Sequence, residues 1–178
     1  LSSALPAAGF RTARAPGQAF TLAIQADSHL DSNSSVEVYR RSLASEAAAA
    51  PDLLVDLGDT FMTDKWRPET GVAAQYLAQH WHLGQVARTA PLLLVSGNHD
   101  GDGGWSPDVL AWASRERDQL FPTPLGGPAG TRAYAVTWGD ALLVVLDPYT
   151  QTTSKPQPDT DNWRATLGKA QYEWLART

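Results

Sequence analysis

Three short apolar runs recur in the first hundred residues, and each ends abruptly in polar side chains. "AFTLAIQAD" stops at Asp27-Ser28-His29, "PDLLVDLGD" at Gly58-Asp59 and "PLLLVSGNHD" at Gly97-Asn98-His99-Asp100. Apolar runs of this length, bounded by turn residues, predict strands, and the nearly continuous second run predicts one buried on both faces. Between the first two, "SSVEVYRRSLASEAAAA" sets Val36, Tyr39, Leu43 and Ala47 at helical spacing, with Ser34 or Ser35 as N-cap and Pro51 just past the end. An alanine- and glutamine-rich stretch, roughly Gly71 to Ala87, predicts a second helix before the third run. Strands alternating with helices in this way predict an α/β fold around a parallel sheet with right-handed crossovers.

Beyond His99 the pattern changes. Ser106-Pro107 reads as N-cap and first helical residue of a further helix, "DVLAWASRERDQLF", with Val109, Trp112 and Leu120 on one side and Pro122 and Pro124 ending it. "TRAYAVTWGDALLVVLD" predicts two strands joined by the two-residue turn Gly139-Asp140. A loop rich in proline and threonine, 148–160, then leads to a last helix containing "AQYEWLART". Residues 1–18, rich in Ala, Pro, Gly and Ser, read as a linker or the end of something larger, which leaves 19–178 as the folded part.

Composition narrows the functional classes. A chain of 178 residues with 43% apolar and 19% charged residues is long enough for one domain with a sizeable core. Its formal charge of -5 and the lack of any basic stripe give it no nucleic-acid-binding patch. No apolar run approaches the ~20 residues that span a bilayer, so no membrane partner is expected. With 0 cysteines, thiolate metal sites, disulfides and cysteine nucleophiles are excluded, while the compartment stays open.

The chemistry lies where the strands stop. The carboxyl ends of parallel strands share one edge of a sheet, the usual place for a ligand, so Asp27, His29, Asp59, Asn98 and His99 are expected to converge there. Asp27 and His29 are two residues apart and project to one side of an extended chain. Gly58 and Gly97 let the backbone turn sharply just before Asp59 and Asn98. Carboxylate, imidazole and amide oxygen together suit Mn, Fe, Zn or a similar divalent ion, singly or as a pair. Taken one at a time, each fragment is ordinary: a capping Asp with a surface His, a Gly-Asp turn, a polar loop. Their order at three successive strand ends is what points to a site.

In that order, "DSH", "GD" and "GNHD" resemble the D-x-H, G-D-x-x and G-N-H-D/E motifs of the calcineurin-like metallophosphoesterases, over about residues 20 to 178. The resemblance implies a metallophosphoesterase-type α/β sandwich, here with its first sheet and flanking helices plus the start of the second. It implies hydrolysis of phosphate mono- or diesters by a hydroxide bridging two divalent metals ~3.5–4 Å apart. Asp27 and His29 would bind the first metal, Asp59 would bridge both, and Asn98 would bind the second. His99 would face the phosphoester substrate as general acid or charge stabiliser, with Asp100 accepting its other N–H.

The family pattern also has a Gly-His and a Gly-His-x-His downstream, which this sequence lacks. Its other histidines, His80 and His82 in "QHWHLG", fall on the predicted second helix at a spacing that points them apart, and read as surface or core residues. "QYEWLART" resembles the helix before the Gly-His strand, and "GFRTARAPGQAF" the last strand of a fibronectin-like domain, as in purple-acid-phosphatase-like and alkaline-phosphatase-D-like relatives. The resemblance therefore implies a domain truncated at both ends, whose missing C-terminal portion supplies the histidines, and an extracytoplasmic location. The alternative is a catalytically incompetent fragment or binding module holding at most one weakly bound ion. Asp100-x-Asp102 and Asp159-x-Asp161 have the opening rhythm of calcium loops but lack the later glutamate, and read as solvated acids. Trp105 reads as packing, and Asp147 as the cap of the turn after its strand.

Overall fold

Alternation along the parallel strands decides the architecture. In the computed structural model, which describes residues 9–63, 65, 69–100, 110–150 and 167–178 (the backbone alone for 69–72 and 110), the first three runs form β1 (Leu22–Gln25), β2 (Leu53–Asp56) and β3 (Leu92–Leu94). They pair in parallel in the order β1-β2-β3, Leu22 opposite Leu53 and Leu54 opposite Leu92. Successive side chains point to opposite faces. Leu54 and Leu94 therefore join one core, while Leu53 and Leu93 join another.

The first core lies under the helices α1 (Val36–Ala48), α2 (Glu69–Ala87) and α3 (Leu110–Leu120). Tyr39 and Leu43 of α1 are buried in one core with Tyr76, Leu83 and Val86 of α2, with Phe61 stacked on Tyr76 and Phe121 tilted against it. The apolar stripe expected on α1 is narrower than the spacing suggests: Val36 is 48% exposed and Ala47 faces solvent. Ser35, one of the two serines expected there, caps α1 by accepting the Val38 N–H. Trp112 and Leu120 of α3 pack on the same core as their spacing predicts.

The second core lies between the parallel sheet and the hairpin β4 (Tyr134–Trp138) and β5 (Ala141–Val145). The strands pair antiparallel, Trp138 opposite Ala141, across the expected Gly139-Asp140 turn. Asp147 caps the following turn, accepting the N–H groups of Tyr149 and Thr150, and α4 (Gly168–Leu175) joins it through the buried Gln171. Residues 9–18 carry Arg14, whose guanidinium pairs with Asp52 at 2.7 Å beside the start of β2. The start of the Ser106-Pro107 helix, Asp102, Trp105, and Asp159 with Asp161 lie outside the described residues. Among the described residues no helix is long and apolar enough to cross a membrane.

Candidate metal centre

Directly after β1 the chain leaves the extended region. Asp27, His29 and Asp59 all adopt positive φ, at 56°, 52° and 54°. This left-handed conformation costs an L-residue about 1–2 kcal/mol, least for Asp, Asn and His, so it has to be held from outside. Asp27 N–H donates to the Gly58 carbonyl at 3.0 Å and His29 N–H to the Asp59 carbonyl at 3.2 Å, which locks the β1 and β2 loops together.

The β2 and β3 loops meet through bare backbone. Gly58 has φ +101°, and a Cβ placed on it would sit 2.3 Å from the Gly97 nitrogen. A Cβ on Gly97 would lie 2.1 Å from the Asp59 nitrogen, so Gly97 is needed for close approach and not for an unusual φ.

Beneath the loops lies a floor of hydrogen-bonded polar groups, with the Gln75 Oε1 left without a partner among the described residues. Asp100, fully buried, accepts N–H groups from Gly97 (2.7 Å), Asp59 (3.0 Å), Thr60 (2.7 Å) and Phe61 (2.8 Å). Asp56, also fully buried, accepts from Gln25 (2.6 Å), the Thr60 hydroxyl (2.8 Å) and the Gly58 N–H (3.0 Å). Burial pushes the Asp56 carboxyl above its ordinary value, and these three donors oppose the rise. From α2, Gln79 donates to the Ser28 hydroxyl (2.8 Å) and the Thr60 carbonyl (2.7 Å), and Gln75 to the His29 carbonyl.

The rim is different. His29 Nε2 lies 3.5 Å from Asp27 Oδ1 and 3.9 Å from Asp59 Oδ2. That nitrogen is buried and has no hydrogen-bond partner among the described residues. Ligand atoms of Asp27, His29 and Asp59 all fall within 4.8 Å of one another. A buried polar atom without a partner costs about 1–3 kcal/mol, and carboxylates crowded around it repel each other. A divalent cation relieves both, so the donor set fits a metal ion.

Asn98 sits on the same wall, half-buried between Gly97 and His99. The His99 N–H donates to Asp59 Oδ1 at 2.9 Å, and its ring lies 6.2 Å from that of His29. The sequence-derived residues are thus brought to one edge by three loops. His80 and His82 stay away from it: His80 packs its edge on Phe121, while His82 is buried between Tyr39 and Trp81. Burial, assisted by Arg40, holds the His82 imidazole below its ordinary value.

Several contributors escape sequence reading. Gln75 and Gln79 are one helical turn apart on a face that is otherwise core, a signal available in the sequence. Asp31 has no such signal; its side chain is nearly buried beside His29, and the Asn33 N–H, foremost among its partners, holds its carboxyl below the ordinary value. Burial pushes the Tyr149 phenol up, and the charges of Asp59, Asp100, Asp147 and Asp27 add to the rise, which brings this ring within electrostatic range of the site.

Comparison with known proteins bears on the fold and the family. The chain superposes on a purple acid phosphatase isolated from yellow lupin (Lupinus luteus) seeds with a TM-score of 0.64 and 15% identity, covering 94% of this chain and 29% of that one. At that identity the likeness concerns the fold, and the chain spans under a third of that structure's chain. No curated protein sequence matches it significantly. The model of the calcineurin-like phosphoesterase family matches residues 20–177, and the chain belongs to that family.

Proposed function

We propose that this chain carries ligands of a dinuclear metal centre for hydrolysis of phosphate mono- or diesters. The observation that carries the reading is the buried His29 Nε2, without a partner among the described residues, facing the carboxylates of Asp27 and Asp59. Asp27, His29 and Asp59 would hold one ion, and Asp59 with Asn98 would contribute to the second. Bound divalent ions supply Lewis-acid polarisation of the phosphoryl oxygens and lower the pKa of an attacking water.

The chain's own residues do the rest. His99 faces the phosphoryl group, and its imidazole gives a proton to the leaving oxygen or stabilises the developing charge. Asp100 positions it: the carboxylate ties down Gly97 and Asp59, and Asp59 Oδ1 in turn holds the His99 N–H. In the family pattern, histidines of a Gly-His and a Gly-His-x-His motif would complete the second site.

A rival reading is a one-ion, non-catalytic module, favoured by the three ligand atoms that converge among the described residues. Elemental analysis and turnover of an aryl phosphate monoester beside the matching diester, with Mn2+, Fe2+ or Zn2+ added, separate the two. The expected outcome is one tightly bound ion, a weakly held second and low metal-dependent turnover. Failure to bind any of these ions sinks both readings, while binding without turnover at saturating metal leaves the rival.

A further inference from the structure

The side chains on the rim come from separate loops, and two of those loops each carry a polar neighbour that is not itself a ligand. Ser28 lies between Asp27 and His29, and Thr60 directly follows Asp59. Thr60 is pinned: its N–H donates to Asp100 Oδ1 at 2.7 Å and its hydroxyl to Asp56 Oδ1 at 2.8 Å. Ser28 has left-handed residues on both sides, a conformation that L-residues keep only under outside constraint.

One side chain spans the two loops. Gln79 of α2 is fully buried, and its Nε2 donates to the Thr60 carbonyl at 2.7 Å and to the Ser28 hydroxyl at 2.8 Å. Its Oε1 accepts from the Tyr39 hydroxyl of α1 at 3.0 Å. A carbonyl oxygen only accepts, so the amide nitrogen has to face Thr60, and the group cannot be turned over without losing that bond. Buried from water, the amide has nothing to trade these partners for.

We propose that Gln79 is a positioning residue for the metal centre: its amide transfers the fixed position of Thr60 to Ser28, and so sets how far the loop carrying Asp27 and His29 stands from Asp59. The separation at stake is the 3.9 Å between His29 Nε2 and Asp59 Oδ2. Metal sites depend on such outer partners to hold their ligands, and losing one weakens binding about 10–100-fold. This role rests on the metal reading above, but the tie between the loops belongs to the metal-free protein and is measurable there.

The metal-free test is amide hydrogen exchange in Gln79→Met, which keeps the length of the side chain and none of its hydrogen bonds, and in Ser28→Ala. The N–H groups of Asp27 and His29, bonded to the Gly58 and Asp59 carbonyls, are expected to gain more in rate than those of Leu54 and Val95, bonded between β2 and β3. An equal gain at all four reports a loosened core and overturns the proposal.

Mn2+ affinity, read from the EPR signal of free Mn2+, is expected to fall about tenfold or more in each variant. Because Gln79 acts through Ser28, the double variant is expected to bind no more weakly than Gln79→Met alone. Losses that add in the double variant overturn the proposal. Wild-type affinity in Ser28→Ala overturns it too, and that variant decides the matter if Gln79→Met fails to fold. A wild type that binds no Mn2+ overturns the metal reading instead, while the exchange pattern still decides whether Gln79 ties the loops.

Discussion

The floor and the rim of this site are built from the same residue types, yet they treat polar atoms in opposite ways. On the floor, Asp100 and Asp56 are fully buried and surrounded by donors. On the rim, His29 Nε2 is buried among carboxylates with no hydrogen-bond partner among the described residues. The contrast separates structure from function: a satisfied buried carboxylate holds loops in place, whereas a buried acceptor left facing other acceptors asks for a cation. His82 shows that an orphaned atom alone is insufficient. Its Nδ1 is also buried without a partner among the described residues, but its ring packs between aromatics and belongs to no carboxylate cluster among them.

If the floor is structural, its loss must show in stability before it shows in chemistry. Asp100→Ala leaves four N–H groups, those of Thr60 and Phe61 buried and those of Asp59 and Gly97 partly so, without their acceptor and is expected to cost at least about 3 kcal/mol in denaturant unfolding. Near-native stability in that variant erases the distinction. The rim must behave in reverse. Asp59→Asn keeps the Oδ1 acceptor for His99 N–H, so its stability is expected within about 1 kcal/mol of the wild type. Its Mn2+ affinity should fall by no less than the ~10–100-fold that loss of an outer partner costs.

His99→Ala sharpens the rim further. In a turnover-competent whole protein it is expected to lower phosphoester hydrolysis about 10²–10⁴-fold, while metal stoichiometry stays unchanged. Unaltered turnover removes His99 from the mechanism. Gly97→Ala tests the seam between floor and rim, because its Cβ collides with the Asp59 backbone. Overpacking of this kind costs about 1–3 kcal/mol and shifts Asp59, so stability and metal affinity are expected to drop together.

The smallest effect concerns His82, the orphan outside the site. Its folded-state pKa is depressed, so the folded chain favours the neutral ring and the unfolded chain takes up the proton more readily. Its contribution is present above the unfolded value of about 6.5 and is lost as pH falls below it. Unfolding free energies measured from pH 8 downward should show this decline, and His82→Gln should flatten it. An unchanged slope in the variant assigns the decline to other groups.

Much of this was legible from apolar runs and their endings. The runs before Asp27, Asp59 and Asn98 became β1, β2 and β3 because strand signals are local, and Gly139-Asp140 turned the hairpin because turn chemistry is local too. The convergence of the three loops followed from parallel topology alone. What stayed hidden depends on which surfaces meet. Val36 and Ala47 have the right spacing for burial, but α2 covers only the Tyr39 and Leu43 side of α1. The four N–H groups around Asp100 come from two loops about forty residues apart in the chain, and nothing in "GNHD" specifies the donors. Asp31 acquires its partner only once Asp27 and His29 adopt left-handed conformations that the composition of "DSHLD" permits but does not require.

The direct contact between Gly58 and Gly97 has a consequence for how such a site can diversify. Two ligand-bearing loops separated by side chains drift apart or together whenever those side chains change size. Here the gap is set by main-chain atoms in van der Waals contact, so it works as a fixed gauge block. Variation in the surrounding packing leaves the gauge unchanged. Surface segments are thus free to be rebuilt for new substrates while the spacing between Asp59 and Asn98 is inherited intact.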